Sequence, residues 1–99
     1  AALLMAATAA SVPAVADPAA LAEAARCSMC HHAEAQRVGP SWAAIAERYA
    51  GDDDALATLT SRARAGGSGE WGKAPMPPVS EAQLSDADLE AVLTWILDR

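Results

Sequence analysis

Large aromatic side chains are scarce in this sequence of 99 residues: it has no Phe, one Tyr and three Trp. Although 53% of the residues are of apolar type, much of that fraction is alanine. A domain of this size buries only about 60% of its unfolded surface, so it is marginal without a staple, a metal or a partner. The chain is therefore short of core volume, and a large apolar cofactor at its centre would supply what is missing.

Positive charge is also scarce, because seven Lys and Arg stand against thirteen Asp and Glu, for a formal net charge of −6. Nucleic-acid binding requires a basic surface, so that class of function is excluded. The sequence also lacks any strand pattern of appreciable length and any internal repeat. Its length leaves room for one domain.

Charge is missing altogether from residues 1–16, which are apolar and end in the small-x-small pattern of a secretory cleavage site. We expect residues 1–16 to be a signal peptide with a truncated n-region, cleaved before Asp17, and residues 17–99 to be the exported, periplasmic domain. An uncleaved membrane anchor is the alternative. The stretch is shorter than the roughly 20 residues of a spanning helix and contains Pro13.

Helix signals divide residues 17–99 into an all-α architecture of about four short helices and one Pro-rich loop. Asp17 and Pro18 are typical of a helix start, and Ser85 with Asp88 forms a capping-box pattern. Glycines end the third helix, and the prolines around Met76 exclude regular structure there. The predicted helices cover residues 17–26, 41–49, 52–65 and 85 onward.

Cys27-Ser28-Met29-Cys30-His31 is C-x-x-C-H, the attachment signature of c-type haem. The two thiols add across the two vinyl groups of one haem edge, and the spacing lets one helical turn present both sulfurs. The adjacent imidazole of His31 then points at the iron. His32 lies one residue later, so we expect its ring to point away from the iron at the surface.

Three other sites could use the same residues. A thioredoxin-like dithiol needs a βαβ frame that the helical pattern lacks. A zinc site at Cys27, Cys30 and one of the two histidines has no second ligand group downstream. A plain disulfide closes a very short loop and stabilises little.

A sixth iron ligand can be found by elimination among the three methionines. Met5 lies in the predicted signal peptide, and Met29 is held at the ring edge inside the C-x-x-C turn. Met76 lies between Pro75 and Pro77, in a stiff loop suited to holding a thioether at a fixed distance. Pairing Met with His is typical of electron-transfer cytochromes and raises the reduction potential. The alternative is that Met76 only fills a gap in the core.

Over nearly all of residues 17–99 the sequence resembles the small bacterial class I cytochromes c, of the cytochrome c-551 type. The resemblance implies that the Pro40 carbonyl accepts a hydrogen bond from His31, and that Trp71 and Arg62 bind haem propionates. Core packing of Trp71 and a solvated helix charge at Arg62 are the alternatives. Val79 departs from the family, which usually has Asn after Met-Pro-Pro, and the loop to the last helix is longer.

The resemblance implies a soluble, monomeric single-electron carrier and not an enzyme. One haem c is attached through Cys27 and Cys30 and ligated by His31 and Met76. Its partners are redox proteins: a bc-type reductase as donor and a nitrite reductase or terminal oxidase as acceptor. No small-molecule substrate is expected. The alternatives are a haem-based sensor, in which Met76 is absent from the iron or easily displaced, and a haem domain of a larger oxidoreductase.

Overall fold

A computed structural model describes residues 17–99 of the chain. The predicted signal peptide and its cleavage site therefore lie outside the described residues. Four α-helices and one short 3₁₀ turn are present in this part, and no β-strand is. The elements are α1 (Pro18–Ala24), the 3₁₀ turn (Cys27–Met29), α2 (Trp42–Arg48), α3 (Ala55–Ala65) and α4 (Asp86–Leu97). The predicted all-α architecture is confirmed.

The first helix begins as predicted, with the Asp17 side chain accepting a hydrogen bond from the Ala19 N–H at 3.3 Å. It ends at Ala24, two residues before the predicted end. Arg26 has a left-handed backbone conformation with φ of 67°, which breaks the helical path. Cys27 therefore begins a separate 3₁₀ turn, which Cys30 directly follows, and neither cysteine lies on an extension of α1.

Both middle helices are short, and their ends have identifiable causes. The Ser41 side chain caps α2 by accepting a hydrogen bond from Ala44 N–H at 3.0 Å. The third helix begins at Ala55, three residues later than predicted, because Asp52 instead accepts a hydrogen bond from the Asp54 N–H within the preceding turn. It ends at Gly66, whose positive φ of 66° favours glycine.

The last helix organises the core. Its buried stripe packs against α1, α2 and α3. Ser85 caps α4 by accepting a hydrogen bond from the Asp88 N–H at 3.2 Å, which is one half of the predicted capping box. The buried residues of α4 are Leu89, Val92, Leu93 and Ile96.

Within residues 17–99, no helix is both long enough and apolar enough to cross a bilayer. The Pro-rich segment between α3 and α4 is irregular, as predicted. Its single regular contact is an isolated antiparallel bridge between Gly67 and Met76. This segment lies across the end of α3 and forms one wall of the cavity described next.

Candidate functional site

A cavity of about 490 Å³ lies between the 3₁₀ turn, the inner faces of the helices and the Pro-rich segment. Its floor is apolar and includes core residues of α2, α3 and α4, among them Ile45, Ala63 and Leu93. The seven residues that the sequence analysis assigned to cofactor binding all line it. They are Cys27, Cys30, His31, Pro40, Arg62, Trp71 and Met76.

Two free thiols stand at one edge of this cavity, on Cys27 and Cys30. The backbone N–H groups of Cys30 and His31 both donate to the Cys27 carbonyl, at 3.1 and 2.9 Å. This tight turn fixes the two sulfurs and the imidazole of His31 relative to one another. Burial raises the pKa of the Cys27 thiol, and the neighbouring Cys30 raises it further against an opposing backbone hydrogen bond.

His31 is held from three sides. Its Nδ1 lies 2.7 Å from the Pro40 carbonyl oxygen, so Nδ1 carries the proton and Nε2 keeps its lone pair. Trp42 stacks on the ring, with centroids 4.5 Å apart and an interplanar angle of 16°. A Cβ added to Gly39 would lie 2.5 Å from His31 Cε1, so only glycine leaves room for the ring.

His32 is exposed and does not line the cavity. Its Nδ1 accepts hydrogen bonds from the backbone N–H groups of Glu34 and Ala35, at 3.1 and 3.0 Å. The ring therefore serves the local turn, and the predicted surface position of His32 is observed.

Met76 and Met29 both border the cavity but differ in exposure, at 36% and 70% respectively. The backbone of Met76 is fixed by two hydrogen bonds with Gly67: its N–H donates to the Gly67 carbonyl at 2.8 Å, and its carbonyl accepts from the Gly67 N–H at 3.0 Å. The exposed Met29 is carried by the same turn as the thiols. Met76 is therefore the less exposed of the two, and it lies on a different segment from His31, whereas Met29 is two residues before His31.

A charged cluster that the sequence analysis missed forms part of the cavity lip. The Glu70 carboxylate forms ion pairs with the guanidinium groups of Arg62, at 2.9 Å, and Arg48, at 3.3 Å. Arg48 also donates to the Glu70 carbonyl at 2.9 Å and lies 4.4 Å from the Trp71 ring centroid. Arg62 is thus paired rather than merely solvated, and Trp71, 38% exposed, is outside the core. No local sequence signal marks this cluster, because 22 residues separate Arg48 from Glu70.

The residue set fits a covalently attached haem. An apolar cavity carries two thiols and an oriented imidazole at one edge, and Arg62 at its lip for the acidic propionates. The zinc alternative is not supported, since residues 17–99 contain no group of three His, Cys, Asp or Glu placed to hold a metal ion. The fold and the site together define a small, all-α haem-binding protein.

Comparison with known proteins agrees with this class. The family model described as cytochrome c matches residues 15–99. Cytochrome c2 of Rubrivivax gelatinosus is 46% identical over 82 residues, covering 83% of this chain and 96% of the relative. Cytochrome c-551 of Allochromatium vinosum is 44% identical, covering 78% of this chain and 80% of the relative. The crystal structure of Nitrosomonas europaea cytochrome c552 superposes with a TM-score of 0.74 at 44% identity, covering 81% of this chain and 96% of that one.

The chain belongs to the cytochrome c family, and its fold is the class I cytochrome c fold. It carries a covalent c-type haem and transfers electrons, as its relatives do, and it is not an enzyme. The resemblance to cytochromes of the c-551 type, predicted from the sequence, is confirmed.

Proposed function

We propose that this cytochrome is a single-electron carrier whose iron is bound by His31 and Met76, with the haem attached through Cys27 and Cys30. One observation carries the proposal. His31 lines the same cavity as Met76, and its Nδ1 is committed to Pro40, which leaves Nε2 free to bind iron. A haem iron held by both residues would have no position left for a substrate.

The chain's own residues then do three things. The Pro40 carbonyl and the Trp42 ring fix the orientation of the His31 imidazole, so little has to move when the iron changes its charge. The apolar floor would give the buried face of the haem surroundings of low polarity. The haem supplies the redox chemistry, and the protein sets its potential through the axial ligands and the surrounding polarity.

Arg62 and Trp71 are proposed to bind the haem propionates, in agreement with their position at the cavity lip. Because Arg62 is already paired with Glu70, a propionate there has to share the guanidinium with that carboxylate. Arg48, stacked on Trp71, supplies a second positive charge close by. The lip thus offers Arg62 directly, while Arg48 lies behind it against Glu70 and Trp71.

The proposed partners are redox proteins: a bc-type reductase as donor and a nitrite reductase or terminal oxidase as acceptor. The net charge of −6 favours a partner with a basic docking surface, and such encounters are typically small and brief. We further propose that residues 1–16 are a signal peptide, that residues 17–99 are the periplasmic domain, and that this domain is a monomer.

Met76→Ala in the haem-containing protein tests the axial ligand. Removing the thioether should open the iron to cyanide or CO and lower the reduction potential on the order of 100 mV, since axial ligands span about 0.8 V. The measurements are a redox titration and ligand binding followed by absorption. Met29→Ala is the matched control and should change neither quantity.

Denaturing mass spectrometry should show one haem retained on both variants, so that loss of the cofactor is not mistaken for loss of a ligand. If the wild-type protein binds CO rapidly at neutral pH, or if Met76→Ala leaves the potential unchanged, Met76 is not the ligand. The haem-based sensor then becomes the better description.

A further inference from the structure

The segment that carries Met76 is anchored to the two glycines that directly follow α3, Gly66 and Gly67. Gly67 and Met76 exchange two backbone hydrogen bonds, of 2.8 and 3.0 Å. The contact is close: a Cβ added to Gly66 would lie 2.7 Å from the Met76 carbonyl oxygen. These contacts hold the backbone of Met76 itself, and the chain after Met76 needs a separate attachment.

The chain after Met76 has few backbone donors, because Pro77 and Pro78 have no N–H. The next donor is the N–H of Val79, which binds the Ala63 carbonyl on α3 at 2.8 Å. The Val79 side chain is buried in the core at 9% exposure. In this chain an apolar anchor thus stands where the family usually has Asn.

Arg64 completes this second anchor. From α3 its guanidinium donates through Nη1 to the Val79 carbonyl at 3.1 Å, and through Nη2 to the Asp86 carboxylate at 2.7 Å. Asp86 is the first residue of α4. The Arg64 side chain is 21% exposed, whereas that of Asp86 is 81% exposed, so the arginine is the more shielded partner. One side chain thereby joins α3, the end of the Met76 segment and the start of α4.

We propose that Arg64 is a positioning residue for the Met76 ligand: it holds the Val79 carbonyl and so keeps the thioether within reach of the iron. The inference rests on the proposed ligation by Met76. Val79 has no side-chain group that could form a hydrogen bond to support the ligand. We assign that support to Arg64, a charged side chain on α3. Without Arg64 the Val79 end keeps its N–H bond to Ala63 and its buried side chain but loses the contact that holds its carbonyl. The thioether should then leave the iron more often.

The test is imidazole binding to the oxidised, haem-containing protein, because imidazole binds only when the thioether has left. The net free energy of a charge-assisted hydrogen bond corresponds to about a tenfold change in an equilibrium constant. Losing it should raise the fraction of protein with the thioether off the iron by about that factor, so Arg64→Leu should bind imidazole about tenfold more tightly. Arg64→Lys, which keeps the charge, should recover part of the difference. Asp86→Asn, which removes only the ion pair, should have a smaller effect.

Arg99→Leu is the matched control. Arg99 is similarly shielded, at 25% exposure, and also forms an ion pair, with Glu34 at 3.7 Å. Its guanidinium lies over the Trp95 ring, so these contacts are not with the segment that carries Met76. This variant should bind imidazole as the wild type does. Free energies of unfolding, measured for every variant, separate a local effect on the Met76 segment from general destabilisation.

The outcomes distinguish this inference from the function on which it rests. If the oxidised wild type lacks the weak red absorption band of an iron–thioether bond, the proposed ligation is wrong. If the band is present and Arg64→Leu binds imidazole like Arg99→Leu, only the role of Arg64 is wrong. If Arg64→Leu fails to accumulate, the other two variants decide. Imidazole affinities equal to that of the wild type in both Arg64→Lys and Asp86→Asn would show that Arg64 does not position Met76.

Discussion

At the scale of single residues, the proximal side of the site is determined by contacts around one imidazole. The family resemblance predicts the Pro40 carbonyl as the partner of His31, and this oxygen lies 2.7 Å from His31 Nδ1. The preceding residue, Gly39, acts sterically: only its lack of a side chain leaves room for the His31 ring. Its N–H donates to the Cys30 carbonyl at 2.8 Å, so its backbone is tied to the haem-attachment turn and cannot easily withdraw from the ring.

Gly39→Ala should therefore disturb the His31 ring. The added Cβ would meet three ring atoms, Cε1, Nδ1 and Nε2, at 2.5 to 3.0 Å, and the ring must turn or shift. We expect a loss of about 1–3 kcal/mol in the free energy of unfolding, as for other overpacked sites. We also expect altered absorption and a shifted reduction potential in the haem-containing protein, both measurable on the same sample.

Gly51→Ala provides the comparison, because its cost has a different origin. Gly51 has a positive φ of 75° but open space around its Cβ position. Alanine there should cost about 1 kcal/mol through backbone conformation and leave the haem spectrum and potential unchanged. Equal spectra in both variants would show that the close contact at Gly39 does not control the ring.

At the scale of the elements, the sequence was informative wherever the determinant was local. Asp17 and Ser85 were identifiable as cap positions, and the structure shows each side chain accepting a hydrogen bond from the first turn of its helix. Ser41, predicted only as the first residue of the second helix, also caps it. The apolar stripe of α4 could be read from its spacing, and its residues are buried. The C-x-x-C-H motif located the cavity edge because the motif is itself a local turn.

The sequence was uninformative where the determinant is a tertiary contact. The left-handed Arg26, which ends α1 early, is not a residue type that favours that conformation. The partners of Glu70 and Arg64 lie 8 to 22 residues away in the chain. Such pairs depend on how α3 and the Pro-rich segment pack together, and no periodicity or spacing records that packing.

Ser85→Ala tests the contribution of a cap to α4, the helix that contacts the other three. The lost hydrogen bond to the Asp88 N–H should lower the free energy of unfolding by about 1 kcal/mol, measured by denaturant titration of the haem-containing protein. Ser61→Ala, at an exposed position inside α3, is the control and should be neutral or slightly stabilising, because alanine is the better helix former. A cap variant as stable as this control would contradict the prediction.

At the scale of the whole molecule, the core of the described residues is built around the cavity rather than closed upon itself. No large side chain in residues 17–99 is less than 2% exposed, and several core residues line the cavity, among them Ile45, Val92 and Ile96. The absence of Phe and the excess of alanine are explained by this arrangement. The haem takes the place that large side chains fill in other small domains.

Replacing Cys27 and Cys30 together by Ala should therefore abolish the stable fold. At about 24 cal/mol per Å³, leaving a void of 490 Å³ costs up to roughly 12 kcal/mol, an upper bound because the cavity opens to solvent. That is as large as the whole stability of a typical domain, about 5–15 kcal/mol. The haem-free double variant should show weak near-ultraviolet circular dichroism and no cooperative thermal transition.

Adding haem to the double variant separates filling of the cavity from covalent attachment. His31, Met76 and the apolar floor are intact in that variant, so non-covalent haem should restore part of the helical signal and a cooperative melt. If the haem-free variant already melts cooperatively with native helical content, the protein core is sufficient without the cofactor. If added haem restores nothing, the two thioether bonds contribute to folding by constraining the chain, and the volume of the cofactor alone is insufficient.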